Sequence, residues 1–227
     1  MPPRNESYAE LLSLAVHELR TPAGVVGGYL RMLQRDTTPL SELQRKMVDE
    51  AERSCQRLIA LIAELSEIQK LDANLVELAQ QELDSFPVMA EAPQGVREPD
   101  DRNVRLEVRG KPAGALMQGD VTRLRAAFAA IYRASLGEMP ANTTVIVDRR
   151  LDWRQGVQSA VLIIAAEENV QAAYDAEPVP FDEKRGGLGL ALPIACRVIE
   201  RHRGRIWSPA GGRASAIVSL RLAEPDR

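Results

Sequence analysis

The first seventy residues carry apolar positions on a helical period. From Glu6 to Arg35, Leu12, Val16, Leu19, Ala23, Val26, Leu30 and Leu33 recur at alternating steps of four and three, the rhythm of a helix with a coiled-coil-like seam. A helix of that length spans about 45 Å. The rhythm breaks at Asp36 to Leu40, where Thr37, Thr38 and Pro39 stand together, and Ser41 offers an N-cap for a second helix. Val48, Ala51, Cys55, Leu58, Ile62 and Leu65 then repeat the rhythm to about Leu71, with Asp49, Glu52, Arg53 and Arg57 on the other faces. A short turn between such helices predicts an antiparallel hairpin. Each hairpin leaves an apolar stripe uncovered, so a second copy completing a four-helix bundle, a homodimer, is expected.

Beyond Asn74 the pattern changes, and a domain boundary belongs near Leu71 to Leu75, giving domains 1–73 and 74–227. A short strand is expected near Leu75 to Leu78. Phe86 to Asp101, with Pro87, Pro93, Gly95 and Pro99, reads as irregular structure. Val104, Leu106 and Val108 alternate as a strand, Val121 to Leu136 reads as a helix, and Thr144 to Leu151 and Ala160 to Ala166 read as strands. Gly187 to Arg203 predicts a helix entered through glycines, and Ala214 to Leu222 a closing strand. The fold class is therefore α+β: a helical hairpin followed by a two-layer α/β sandwich with helices on one face of its sheet.

Composition narrows the function without naming it. The 227 residues hold 29 Lys and Arg against 32 Asp and Glu, for a net charge of −3, and the basic residues are too dispersed for a nucleic-acid stripe. The longest apolar runs, such as Ala160 to Ala166, are far short of the roughly 18 to 20 residues of a membrane span, and Met1 to Glu10 does not resemble a signal peptide. No membrane span and a cytoplasmic location are expected. Cys55 and Cys196 lie on apolar sides of helical patterns and read as small buried hydrophobes. Two Cys and two His at these spacings give no zinc site. His202, between Arg201 and Arg203, reads as part of a cationic C-terminal helix turn closed by Gly204, and Trp153 and Trp207 as packing or surface residues.

His17 is the candidate for chemistry. It stands between seam positions Val16 and Leu19 without being one, so helical geometry turns its imidazole toward solvent. Glu18 is adjacent and Thr21 one turn on, so a carboxylate and a hydroxyl flank the ring. Pro22 lacks the N–H that would bond the Glu18 carbonyl, so a bend is expected below the histidine. An imidazole steered by a nearby acid is a competent nucleophile toward a phosphoryl group.

The run Leu14-Ala15-Val16-His17-Glu18-Leu19-Arg20-Thr21-Pro22 resembles the H-box of the sensor histidine kinase family. The likeness continues through Tyr29-Leu30-Arg31-Met32-Leu33 and Arg57-Leu58-Ile59-Ala60-Leu61-Ile62 to Leu71, covering that family's dimerisation and phosphoacceptor hairpin. The resemblance implies that His17 takes a phosphoryl group and passes it to an aspartate on a response regulator. It implies that Glu18 assists the imidazole, and that Thr21 positions water in a phosphatase reaction on the regulator.

The second domain resembles the family's nucleotide-binding sandwich in frame. Asp120-Val121-Thr122-Arg123-Leu124 resembles the entry to the N-box helix, Gly186-Gly187-Leu188-Gly189-Leu190-Ala191-Leu192 the glycine-rich box, and Gly204-Arg205-Ile206-Trp207 through Leu222 the closing strands. Gly187 and Gly189 suit phosphate approach at a helix start. The catalytic letters differ. No Asn occurs between Asn103 and Asn142, and the family's two magnesium-holding asparagines fall on Ala130 and Ala134, which cannot coordinate a cation. The adenine-recognising Asp-x-Gly-x-Gly box falls on Ala165-Ala166-Glu167-Glu168-Asn169-Val170-Gln171, where Glu167 is the nearest substitute for the aspartate. Arg185 takes the place of the first glycine of the last box.

Three readings follow. The first is a homodimer whose His17 exchanges phosphoryl groups with receiver aspartates, with ATP use weak or lost and no cofactor of its own. The second is an ATP- and Mg²⁺-dependent autokinase with a diverged pocket in which Glu138 or Glu168 serves near the phosphates. The third is a non-catalytic module that binds a response regulator. An intact His17, Glu18 and Thr21 set beside a changed nucleotide site favours the first.

Overall fold

A computed structural model of the chain describes residues 4–35, 40–91, 102–154, 157–185, 189–212 and 214–223. The chain divides into two compact units, Met1–Leu75 and Val76–Arg227. Among the described residues, no helix is long and apolar enough to cross a membrane.

In the first unit, helix α1 (Arg4–Arg35) runs unbroken through Pro22 and pairs with helix α2 (Glu42–Asp72). The pairing is antiparallel: the Cys55 thiol donates to the Ala23 carbonyl at 3.3 Å, and Gln34 donates to Asp49 at 3.0 Å. Ser41 caps α2 reciprocally, its hydroxyl accepting from the Gln44 N–H while the Gln44 side chain accepts from the Ser41 N–H. The two helices approach most closely at Gly27, where an added Cβ would lie 3.3 Å from the Cys55 sulfur. The turn expected around Thr37 to Pro39 lies outside the described residues.

The apolar seam divides in two. Val16 and Cys55 are buried, and Ala23 and Leu30 half-buried, whereas Leu19 (53% exposed), Val26 (51%), Leu33, Met47 and Leu58 face solvent. Leu19, Val26 and Leu33 are seven residues apart, so they form one continuous stripe along the helix.

The second unit is built on a six-stranded sheet in the order β2-β4-β5-β8-β7-β6, from β2 (Arg105–Gly110), β4 (Thr144–Arg154), β5 (Val157–Ala166), β6 (Pro178–Pro180), β7 (Arg205–Pro209) and β8 (Ala216–Arg221). β2 and β4 are parallel, joined across helix α4 (Val121–Glu138); the other pairs are antiparallel. β5 is buried on both faces. Its even-numbered residues share a face with Leu220, which meets Ile199 of helix α6 (Ala191–Arg201) at Gly204. An added Cβ on Gly204 would lie 2.7 Å from Leu220 and 2.8 Å from Ile199. Helices α4 and α6 pack along one another. On the opposite face, Val161, Ile163, Ala165 and Ile217 pack with Ala173, Val170 and Tyr174 of the short helix α5 (Val170–Asp175) and with Trp207.

The structure corrects two local expectations. Residues 75–80 form no strand; the strand is β1 (Gln81–Asp84), which pairs with β3 (Leu116–Gly119) in a separate two-stranded sheet. Residues 85–91 form helix α3 (Ser85–Glu91), not a loop, while 92–101 lie outside the described residues. Pro87 sits in the first turn of α3, where a missing N–H costs no helical bond. The Asp84 carboxylate accepts from the Phe86 N–H at 3.1 Å, and the Tyr132 hydroxyl of α4 donates to the Met89 carbonyl at 2.8 Å. Residue pattern hid both elements because four strand residues or two helical turns are too short to show a period.

Candidate functional site

His17 lies near the middle of α1, exposed, directly after buried Val16. Glu18, Arg20, Thr21 and Pro22 are exposed with it. The carboxylate and hydroxyl expected beside the ring are therefore exposed on the same helix, which packs on α2. The arrangement offers an imidazole that a macromolecular substrate can reach from outside.

The second unit presents the nucleotide frame. Helix α4 begins at Asp120, whose carboxylate accepts from the Arg123 N–H at 3.0 Å and the Ala79 N–H at 3.3 Å. Burial alone would raise that carboxyl. The two N–H groups and the Arg123 charge outweigh it and hold Asp120 below its ordinary value. Ala130 and Ala134, where the resemblance puts metal ligands, are both buried and offer only methyl groups.

One residue on, Ser135 is bonded to Arg185. The Arg185 guanidinium is buried, 4% exposed, and donates to the Ser135 hydroxyl and the Ser215 carbonyl, both at 3.2 Å, while stacking 4.0 Å over the Phe181 ring. Ser135 directly follows Ala134, one of the two positions where the resemblance puts a metal ligand. Among the described residues, no group of three His, Cys, Asp or Glu side chains stands ready for a metal ion. Glu167 is exposed on the surface, its carboxylate 2.6 Å from Arg109 of β2, and Arg109 also holds Glu107. Glu168 is exposed as well. Gly187 lies outside the described residues; Gly189 takes a left-handed φ of +64°, one residue before the cap of α6. At the positions where the resemblance puts magnesium ligands the described side chains are methyl groups, and a buried guanidinium lies on the adjacent Ser135, so these residues do not fit a magnesium ion there.

His202 differs from its expected role. It is buried, with the Asp120 N–H donating to Nε2 at 2.9 Å and Nδ1 donating to the Val198 carbonyl at 2.7 Å. Both contacts together require the neutral ring. Burial pushes its pKa down. An added Cβ at Gly119 would lie 2.7 Å from the His202 ring, so glycine there permits the approach. The turn keeps Arg201 in the last turn of α6, and the Gly204 N–H closes the helix on the Ile199 carbonyl at 2.9 Å, as expected, but the His202 ring is not one of its cations: it joins α6 to β3 and α4. Sequence held one signal for it: a lone His placed where a helix must end against a buried strand. Cys196 is a buried free thiol raised to about 12 by burial first and then by Glu183 and Glu200, consistent with a packing role. Trp153 is exposed and Trp207 is half-buried.

Comparison with known proteins bears on both units. Residues 7–74 match the His Kinase A (phospho-acceptor) domain. Over 226 residues, and 94% of its length, the chain is 25% identical to sporulation kinase B of Bacillus subtilis, and it is 26% identical to the phosphate regulon sensor protein PhoR of Pseudomonas aeruginosa over 93%. The chain spans about half the length of these relatives, 49% and 50% respectively. Its fold matches a crystal structure of full-length ShkA in complex with AMPPNP, with a TM-score of 0.66 and 20% identity over 94% of this chain and 45% of that one. It also matches the Acinetobacter baumannii histidine kinase AdeS, with a TM-score of 0.56 and 16% identity over 92% of this chain and 98% of that one.

Proposed function

We propose that the chain works as a member of the sensor histidine kinase family, as the match of residues 7–74 to the phospho-acceptor domain and the likeness to sporulation kinase B support, and that His17 exchanges a phosphoryl group with an aspartate of a response-regulator receiver domain, while ATP use by the second unit is weak or lost. Family membership implies dimerisation and a response-regulator partner in general terms. In this reading residues 1–73 are the dimerisation and phosphoacceptor domain, and 74–227 a histidine-kinase-like frame without its nucleotide chemistry. The observation that carries the proposal is the contrast between an open His17, Glu18 and Thr21 surface and a helix α4 that offers buried methyl groups at Ala130 and Ala134, with a buried Arg185 bonded to the adjacent Ser135.

The chemistry is a group transfer in either direction. An imidazole nitrogen attacks the phosphorus of an aspartyl phosphate, a P–N bond forms as the P–O bond to the aspartate breaks, and the carboxylate leaves. The proton on the other ring nitrogen passes to Glu18 or water, giving a neutral phosphoimidazole. In the reverse direction the proton returns and the receiver carboxylate displaces the imidazole. A water held by Thr21 would instead hydrolyse the aspartyl phosphate, the phosphatase variant of the same surface. Exposure suits this work, because the second reactant is a protein domain that supplies its own carboxylate.

The test is a pair of labelling experiments on the full chain and a His17→Ala variant. Acid-labile, base-stable label is expected on the unmodified chain from a phosphorylated receiver, absent on His17→Ala, and absent from both with ATP and Mg²⁺. Label from ATP on the unmodified chain alone would overturn the proposal and make the chain an autokinase. Absence of label from the receiver would leave a non-catalytic binding module.

A further inference from the structure

The face of the sheet that α5 covers is covered only in part. Strand register sorts its residues into rungs. Ile163, Ile217 and Trp207 share the rung beneath α5. The next rung pairs Val161 with Ser219 and Arg205, and the one after pairs Asp152 with Ser159 and Arg221. These two rungs floor a cavity of about 280 Å³, walled by Tyr174 and Pro178 on one side and by Arg203 on another. The strands thus change character along one face, from a packed apolar rung to serines flanked by arginines.

Arg203, Arg205 and Arg221, all exposed, line the cavity with Asp152 as the one carboxylate among its described lining residues, in a chain whose net charge is −3. Neither Arg203 nor Arg205 has a carboxylate partner among the described residues. Two guanidiniums without a counterion at one cavity cost Coulomb energy that a bound anion removes.

Backbone geometry adds a second, independent observation. Arg203 holds a φ of +57°, in the left-handed region that favours glycine or asparagine. Among the described residues the other non-glycine positions with positive φ are Asn74, Asn103 and Asn142. Arginine is the exception, at the position where either of the easier residues would satisfy the turn into β7. What it adds is a guanidinium on the rim of the cavity.

We propose that this cavity binds a small aromatic phosphate of mononucleotide size, separate from the frame between α4 and α6. The arginines would take the phosphate, which suits their planar donors, and the serine hydroxyls its remaining oxygens. Trp207 and Tyr174 would pack against the ring. Tyr174 is braced on its side by Arg150, whose guanidinium lies 4.9 Å from the ring centroid. The volume, near the lower end of small-ligand sites at about 300 Å³, admits one such ligand. The proposal does not depend on the phosphotransfer reading, because it uses no residue of α1 or α2.

Isothermal titration of the full chain with adenosine and guanosine monophosphates, in metal-free buffer, tests it, with guanosine and inorganic phosphate as separate arms. At least one nucleotide is expected to bind saturably, at least about tenfold more tightly than guanosine or phosphate alone. Arg203→Gly should weaken binding about tenfold while leaving the melting temperature unchanged or higher, since glycine relieves the backbone. Arg205→Gln should weaken binding to a similar degree. No saturable binding up to about 5 mM, or affinity unchanged in both variants, would overturn the site. Phosphate binding as tightly as the nucleotides would overturn the aromatic ligand.

Discussion

The two histidines of this chain sit in opposite surroundings. His17 is exposed on the surface of a long helix, beside a carboxylate and a hydroxyl, with the seam residue Val16 buried behind it. His202 is buried at a helix end, accepting from one backbone N–H and donating to one carbonyl. A ring with both nitrogens committed has no lone pair left for a phosphorus atom. A ring open to solvent can be reached by a receiver domain. The comparison teaches how one chain can spend the same side chain in two ways: His202 is fixed by what surrounds it, whereas His17 is left open to an outside reactant.

That contrast breaks most sharply at His17. His17→Ala should abolish phosphoryl exchange with a receiver, a loss of at least about a thousandfold in labelling rate, while leaving denaturant unfolding within about 0.5 kcal/mol of the parent. A large change in stability would mean that His17 is not the free group of the pair. Second in size is the exposed stripe beside it. Val26→Asp places a carboxylate on the open row of the hairpin and should weaken self-association at least a hundredfold in sedimentation, about 3 kcal/mol.

His202→Ala acts through folding alone. It strands the Asp120 N–H, takes from the Val198 carbonyl the shorter of its two hydrogen bonds and leaves a hole against Gly119, so about 2 kcal/mol should be lost on urea unfolding of the second unit. Transfer to and from the receiver at low temperature, where the variant is folded, should persist. Arg185→Gly strands the Ser135 hydroxyl and empties the space over Phe181, at about 2 kcal/mol. It should still gain no label from ATP, because Ala130 and Ala134 supply no metal ligand.

The smallest effect is on pH. His202 is held neutral in the fold, below the ordinary value of 6.5, so the unfolded chain binds the extra proton first as pH falls. Its contribution is complete above 6.5 and is lost on descending from there toward the lower folded value. The stability of the second unit should therefore fall as pH drops below about 6.5, and His202→Gln should flatten that slope. Asp120, held below 3.8, loses its contribution only at lower pH, so the two effects separate.

Much of this was legible from residue pattern. The 4,3 rhythm located both long helices, and helical geometry alone placed His17 on the outer face, because a period of 3.6 leaves position 17 off a seam through 16 and 19. Ser41 with Gln44 announced a cap. The absence of asparagine from α4 marked the changed nucleotide frame. What pattern missed was short or long-range. β1, α3, β3, α5 and β6 are each seven residues or fewer, below the length at which periodicity declares itself.

Residue identity alone supplies the side chains: an imidazole with an acid and a hydroxyl within one turn, alanines at 130 and 134 of α4, and an arginine at 185. Their local register followed from helical geometry, which needs no tertiary contact. Only the tertiary structure decided that Arg185 folds onto Ser135 of α4, fifty residues away, and that His202 meets the Asp120 backbone, eighty-two residues away. It alone aligned Arg205 and Arg221 of two antiparallel strands with Arg203 at a turn. Such pairings depend on how the sheet and helices close on one another, and a one-dimensional pattern carries no distance between residues that far apart.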